Sequence, residues 1–148
     1  MAWPAPEDIP DSELLSKLQV HPRRRVLLVD VEPYVRRLFQ VILSRCNYDV
    51  DACPTPEEAF ELLEARPHEV VALDLWFWYA EVRSAYTGFE TLDVLRARWP
   101  GVRAIVLTMR ADPGTLTETV RHGAFCRVCK DDDPAELVYA IERAVASS

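Results

Sequence analysis

Val26-Leu27-Leu28-Val29-Asp30-Val31-Glu32-Pro33 decides how this chain is read. Its four leading apolar residues make a run of strand length, suited to burial on both faces, and an aspartate ends it. Pro33 suits the first position of a helix, where a backbone N–H would lack a partner anyway. Val35, Leu38, Phe39, Ile42 and Leu43 follow at the spacing of one helix face, up to about Cys46. The stretch is therefore a buried strand, an acidic turn and a helix.

The same order recurs along the chain. Tyr48 to Ala52 alternates polar and apolar residues as a strand does, and Thr55-Pro56-Glu57-Glu58 starts a helix with Thr55 as cap. Val70-Val71-Ala72-Leu73 is a third strand, ending in Asp74; a long aromatic loop precedes a helix from about Phe89 to Trp99. Ala104-Ile105-Val106-Leu107 ends in Thr108, with a helix from about Pro113 to His122. Phe125 to Cys129 is a fifth strand, ending in Lys130, and a last helix runs from about Pro134 to Ala146. Five such βα units predict an α/β fold with a five-stranded parallel sheet, doubly wound, (βα)5. Residues 1–23 read as an N-terminal extension, with a short helix start at Asp11-Ser12-Glu13-Leu14-Leu15, and residues 24–148 as the domain.

Composition narrows the function. The 148 residues are 49% hydrophobic and 28% charged, which suits a globular chain with a core of its own. No apolar run approaches the roughly 20 residues that span a bilayer, and residues 1–10 carry acids and prolines where a signal peptide needs a basic start. The expected location is cytoplasmic, with no membrane contact. A net charge of −7 argues against direct nucleic-acid binding, and the basic run Arg23-Arg24-Arg25 reads as a solvated strand entrance. Cys126 and Cys129 resemble half a zinc site, but residues three apart on a strand point to opposite faces. The cysteines read instead as small buried hydrophobes in a reducing compartment.

Four strands end in polar residues: Asp30, Asp74, Thr108 and Lys130. Parallel topology brings these ends to one edge, where such folds place their ligands. Each residue alone is explained by capping or solvation. Two acids, a hydroxyl and an amine at equivalent positions form a chemically useful set. A carboxylate can attack a phosphoryl donor, a second can help hold Mg²⁺, and the hydroxyl and ammonium can bind phosphoryl oxygens.

Over about residues 24–145 the sequence resembles the receiver domain of bacterial response regulators, the CheY-like family, whose fold is flavodoxin-like. The likeness is carried by residues 26–33, Leu73-Asp74-Leu75, Leu107-Thr108, and Gly123-Ala124 followed by Lys130. It implies that Asp74 is the phosphoacceptor, Thr108 the switch hydroxyl and Lys130 the phosphate-binding amine. It also implies an Mg²⁺ site at Asp30, Asp74 and the Trp76 backbone carbonyl.

Four departures from the family pattern stand out. Val31 occupies the position of a second acid that normally binds the metal directly, and Glu32 beside it is not a ligand in that pattern. The Asp74–Gly88 loop is longer and carries Trp76-Phe77-Trp78-Tyr79, either as core packing or as a docking patch. Arg127 replaces an aromatic switch residue. Asp131-Asp132-Asp133 follow Lys130 where a proline is usual, and read as a solvated cap for the last helix.

Three functions compete. The favoured one is an atypical receiver, a non-enzymatic signalling module with weak or absent Mg²⁺-dependent phosphorylation. The second is a conventional receiver that accepts phosphoryl from a histidine kinase on Asp74. The third, an aspartate-nucleophile phosphatase using Asp30, is opposed by Glu32 where a second aspartate is needed. Expected partners are a histidine kinase or another signalling protein, with homodimerisation as a further option. With no output domain after Ser148, action through protein contact is expected, through the last two helices or the aromatic loop.

Overall fold

The computed structural model describes residues 23–75, 85–109 and 113–147. The strands are β1 Arg24–Val29, β2 Tyr48–Cys53, β3 Val70–Asp74, β4 Arg103–Thr108 and β5 Cys126–Cys129. The helices are α1 Pro33–Arg45, α2 Pro56–Ala65, α3 Gly88–Arg98, α4 Pro113–Arg121 and α5 Ala135–Ala146. All strand pairs are parallel, in the order β2-β1-β3-β4-β5. This is the doubly wound flavodoxin-like α/β fold that the alternation of runs predicts.

The continuous apolar strands are buried because both sheet faces are covered. Val26, Leu28, Ala72, Ile105 and Leu107 face α1 and α5, whereas Leu27, Val29, Val71, Leu73 and Val106 face α2 and α3. Alternate residues of each strand thus feed two separate cores. At about 1.5–3 kcal/mol for each fully buried aliphatic side chain, this burial is the main force holding the strand ends in place.

Local signals set the boundaries. Pro56 opens α2, and Thr55 Oγ1 accepts the Glu58 N–H at 3.3 Å, as its sequence predicts. Thr87 and Glu90 form a reciprocal capping box at α3, with bonds of 3.1 and 3.0 Å, so this helix begins at Gly88, just before the expected Phe89. Gly123, at φ 93°, turns the chain out of α4 toward β5. Strand β5 starts at Cys126, not Phe125, which is partly exposed. Asp133 Oδ1 accepts the Ala135 N–H at 2.9 Å, so the acidic run does cap α5. Cys46 and Cys53 are buried; Cys126 and Cys129 are only half-buried. Among the described residues no helix is long and apolar enough to cross a membrane.

Candidate functional site

The carboxyl ends of β1, β3, β4 and β5 bring the expected polar residues to one edge. Asp30 directly follows β1, and its N–H bonds Cys53 O on β2 at 3.1 Å. Asp74 is the last residue of β3 and pairs in register with Leu107, one position before Thr108. Lys130 follows β5 and its N–H bonds Thr108 O at 2.7 Å, which fixes its height above the sheet. Thr108 is buried at the end of β4.

The side chains of Asp30, Asp74 and Lys130 form a buried triad. Lys130 Nζ lies 2.8 Å from Asp30 Oδ2 and 3.5 Å from Asp74 Oδ2, with Lys130 3% and both acids 1% exposed. Asp30 Oδ1 accepts the Glu32 N–H at 2.9 Å, so part of the ordinary turn-forming role of a strand-end aspartate is present as well. Asp30 Oδ2 makes no aligned hydrogen bond; its contact with Lys130 is one of charge. Burial pulls the Lys130 ammonium down, but Asp30 and then Asp74 outweigh it, and its pKa stands above the usual value. Burial raises the Asp30 carboxyl, with Lys130 pulling against it and not prevailing.

Val31 is 7% exposed and belongs to neither core cluster, so a buried alkyl group stands at the pocket where the family pattern has an acid. Trp76, expected to lend its carbonyl to a metal, lies outside the described residues, as do Phe77, Trp78 and Tyr79. Among the described residues no three His, Cys, Asp or Glu side chains converge on a ready-made metal site. Asp30 and Asp74 are hard oxygen donors of the kind Mg²⁺ takes, and Asp30 Oδ2 already faces a cation, the Lys130 ammonium at 2.8 Å. The donor set fits Mg²⁺ in chemistry and lacks the carboxylate at position 31.

Two supports were not read from the sequence. Arg36, one turn into α1, donates from Nη1 to Asp30 O at 2.6 Å and holds the β1–α1 turn. Nothing in the sequence singles it out from Arg37. Gly88 lies so close to Leu75, the residue after Asp74, that a Cβ would overlap the Leu75 carbonyl oxygen and reach 2.8 Å from Leu75 Cδ1. The pattern Thr87-x-x-Glu90 marks that helix start, but the close approach has no sequence signal.

Fold and strand-end pocket are those of a receiver-type α/β domain, and comparison with known proteins gives the same class. The chain belongs to the response regulator receiver domain family, which matches residues 26–142. It is 25% identical over 119 residues to a putative NtrX-like response regulator of Rickettsia bellii, covering 80% of this chain and 24% of that protein. This chain thus spans about a quarter of that relative's length. A LuxR-family two-component response regulator from Aurantimonas sp. superimposes with a TM-score of 0.72 at 30% identity, covering 83% of this chain and 85% of the other. The chemotaxis protein CheY4 of Vibrio cholerae gives 0.72 at 22% identity, covering 82% and 98%, a likeness of fold.

Proposed function

We propose that this chain is an atypical receiver that works as a signalling interaction module, with Mg²⁺-dependent phosphorylation of Asp74 weakened. The observation that carries this reading is Val31, a buried alkyl side chain where a metal-binding carboxylate belongs. In the residual reaction Asp74 attacks the phosphorus of a phosphodonor, the bond to the donor's leaving group breaks, and the donor keeps that electron pair. Lys130 and Thr108 then hold the phosphoryl oxygens, with Asp30 keeping the ammonium in position. Mg²⁺, held by Asp30 and Asp74, would neutralise charge on the transferring group. Phosphoryl would come from a histidine kinase, and output would pass through contact with a signalling protein or a second copy.

The retained Asp74, Thr108 and Lys130 favour the conventional switch as second reading. Incubation with acetyl phosphate and Mg²⁺, followed by intact mass, separates the two. Substoichiometric labelling that rises in Val31→Asp is expected. Stoichiometric labelling of the unmodified chain, lost in Asp74→Asn, would overturn the weakened reading.

A further inference from the structure

Strand β1 pairs with its two neighbours as far as Val29, and the carbonyl of Asp30 lies just beyond that register. Among the described residues no backbone N–H reaches this oxygen. The Arg36 guanidinium does, donating from Nη1 at 2.6 Å. Asp30 is 1% exposed, and a buried carbonyl without a donor is costly, so the bond closes a group that the sheet leaves open. The Arg36 N–H also donates to Glu32 O at 3.2 Å, so this one residue spans the turn.

The peptide that Arg36 grips joins Asp30 to Val31. Its orientation carries Val31 into its buried place and brings the Glu32 N–H within 2.9 Å of Asp30 Oδ1. With Oδ1 tied to the backbone, the other carboxylate oxygen is left for the pocket, and Oδ2 lies 2.8 Å from Lys130 Nζ. A line of contacts thus runs from the Arg36 guanidinium, through the Asp30 peptide and carboxylate, to the Lys130 ammonium. Arg37 provides a comparison within the same helix. It carries the same charge and is exposed, and among the described residues it makes no hydrogen bond or ion pair.

We propose that Arg36 is a positioning residue of the pocket: it sets the Asp30 carboxylate on Lys130 and so places the ammonium that receives phosphoryl oxygens. It acts through Asp30 and touches neither the nucleophile nor the phosphoryl group in this role. The effect on Lys130 stands on the contacts alone, whereas the effect on Asp74 labelling rests on the proposed function.

The test reads the reactivity of the Lys130 amine in the full chain. Lys17 is the only other lysine, so peptide mapping after trace acetylation with acetic anhydride isolates Lys130, with a free lysine derivative in the same tube as reference. In the unmodified chain Lys130 is 3% exposed between two acids and should react far more slowly than the reference. Arg36→Met keeps a good helix former and removes the donor. It should raise Lys130 acetylation about tenfold or more, the scale of one lost hydrogen bond to a charged group. Arg36→Gln should do the same and serves if Arg36→Met does not fold. Arg36→Lys keeps a cationic donor and should restore most of the protection; Arg37→Met should leave it unchanged. Urea unfolding checks that each variant is folded under the labelling conditions. Protection in the Met and Gln variants equal to that of the unmodified chain would overturn the proposal. An equal rise in Arg37→Met, or no rescue by Arg36→Lys, would overturn it too. Labelling of Asp74 by acetyl phosphate should fall in Arg36→Met, and an unchanged level beside a reactive Lys130 overturns the link to phosphoryl binding. Stoichiometric Asp74 labelling of the unmodified chain overturns only the weakened reading, and the acetylation rates decide the role of Arg36 in either case.

Discussion

Replacing Lys130 with methionine keeps much of the buried stem and removes the ammonium. That ammonium lies 2.8 Å from Asp30 and 3.5 Å from Asp74, in a pocket where all three side chains are 3% exposed or less. At pH 7 the variant holds two buried acids with no cation between them. Removing one partner of a buried ion pair costs about 3–5 kcal/mol, because the charge left behind is neither solvated nor paired. For a domain of this size the loss lowers Tm by roughly 6–20 °C.

The pH dependence distinguishes this cause from a simple packing defect. A buried acid without a cation holds its proton above the exposed range, so the folded variant binds more protons than the unfolded chain. Its stability therefore rises as pH falls toward the unfolded aspartate value of about 3.9. In the unmodified chain the Lys130 contribution is fully present at pH 7. Burial works against the ammonium, but Asp30 and Asp74 raise its pKa on balance, and the contribution is lost only as pH rises through that raised value. Urea unfolding of both proteins at pH 5 and pH 8 measures the gap, which should be smaller at pH 5. Asp30→Asn added to Lys130→Met should recover part of the loss. A gap below about 1 kcal/mol, the size of an exposed pair, or an equal gap at both pH values, refutes Lys130 as counter-ion of the pocket.

Two further predictions test the frame around the site. Gly88→Ala forces the α3 start away from Leu75, next to Asp74, and should destabilise the domain by about 1–3 kcal/mol in urea unfolding; an unchanged midpoint would show that the contact is loose. Asp51 is held down to about 2, chiefly by hydrogen bonds from Arg66, with His68 adding to it against burial. Its folded value lies below its unfolded one, so its contribution is present above pH 4 and is lost as pH falls toward 2. Asp51→Asn should therefore cost about 1 kcal/mol at pH 7, after solvent screening at this partly open site, and much less at pH 2. An equal cost at both pH values would exclude charge as the cause.

The fold was legible because buried parallel strands leave an unusual trace: short continuous apolar runs, each ended by a polar residue. Val26–Val29 and Val70–Leu73 cannot be amphipathic surface strands, and the helical spacing between the runs fixes the alternation. Topology then carried Asp30, Asp74 and Lys130 together without any knowledge of their contacts. What the sequence did not disclose depends on side-chain direction. Arg36 and Arg37 are neighbours of the same type, and only the helix phase sets Arg36 toward the Asp30 carbonyl. Phe125 reads as strand by hydrophobicity, yet the chain is still leaving α4 through Gly123 and Ala124 at that point. The box at Thr87 and Glu90 was readable in principle, but the long loop before it masked its register.

The loss of an acid at Val31 and the retention of Lys130 have related electrostatic consequences. A pocket with three carboxylates and one ammonium carries excess negative charge that disfavours folding unless a divalent cation neutralises it. With Val31 in place, two carboxylates face one ammonium, and the imbalance falls by a full charge. On the proposed reading, the metal-free domain is easier to hold folded and the attraction for a metal is smaller by the same step. Val31, on that reading, moves the domain toward a state in which Lys130, 2.8 Å from Asp30, is the resident cation. On this reasoning Val31→Asp should lower Tm in the absence of metal and recover it with added Mg²⁺, as binding to the folded state requires. A Val31→Asp protein at least as stable as the unmodified chain without metal, and indifferent to Mg²⁺, would show that charge balance is not what position 31 controls.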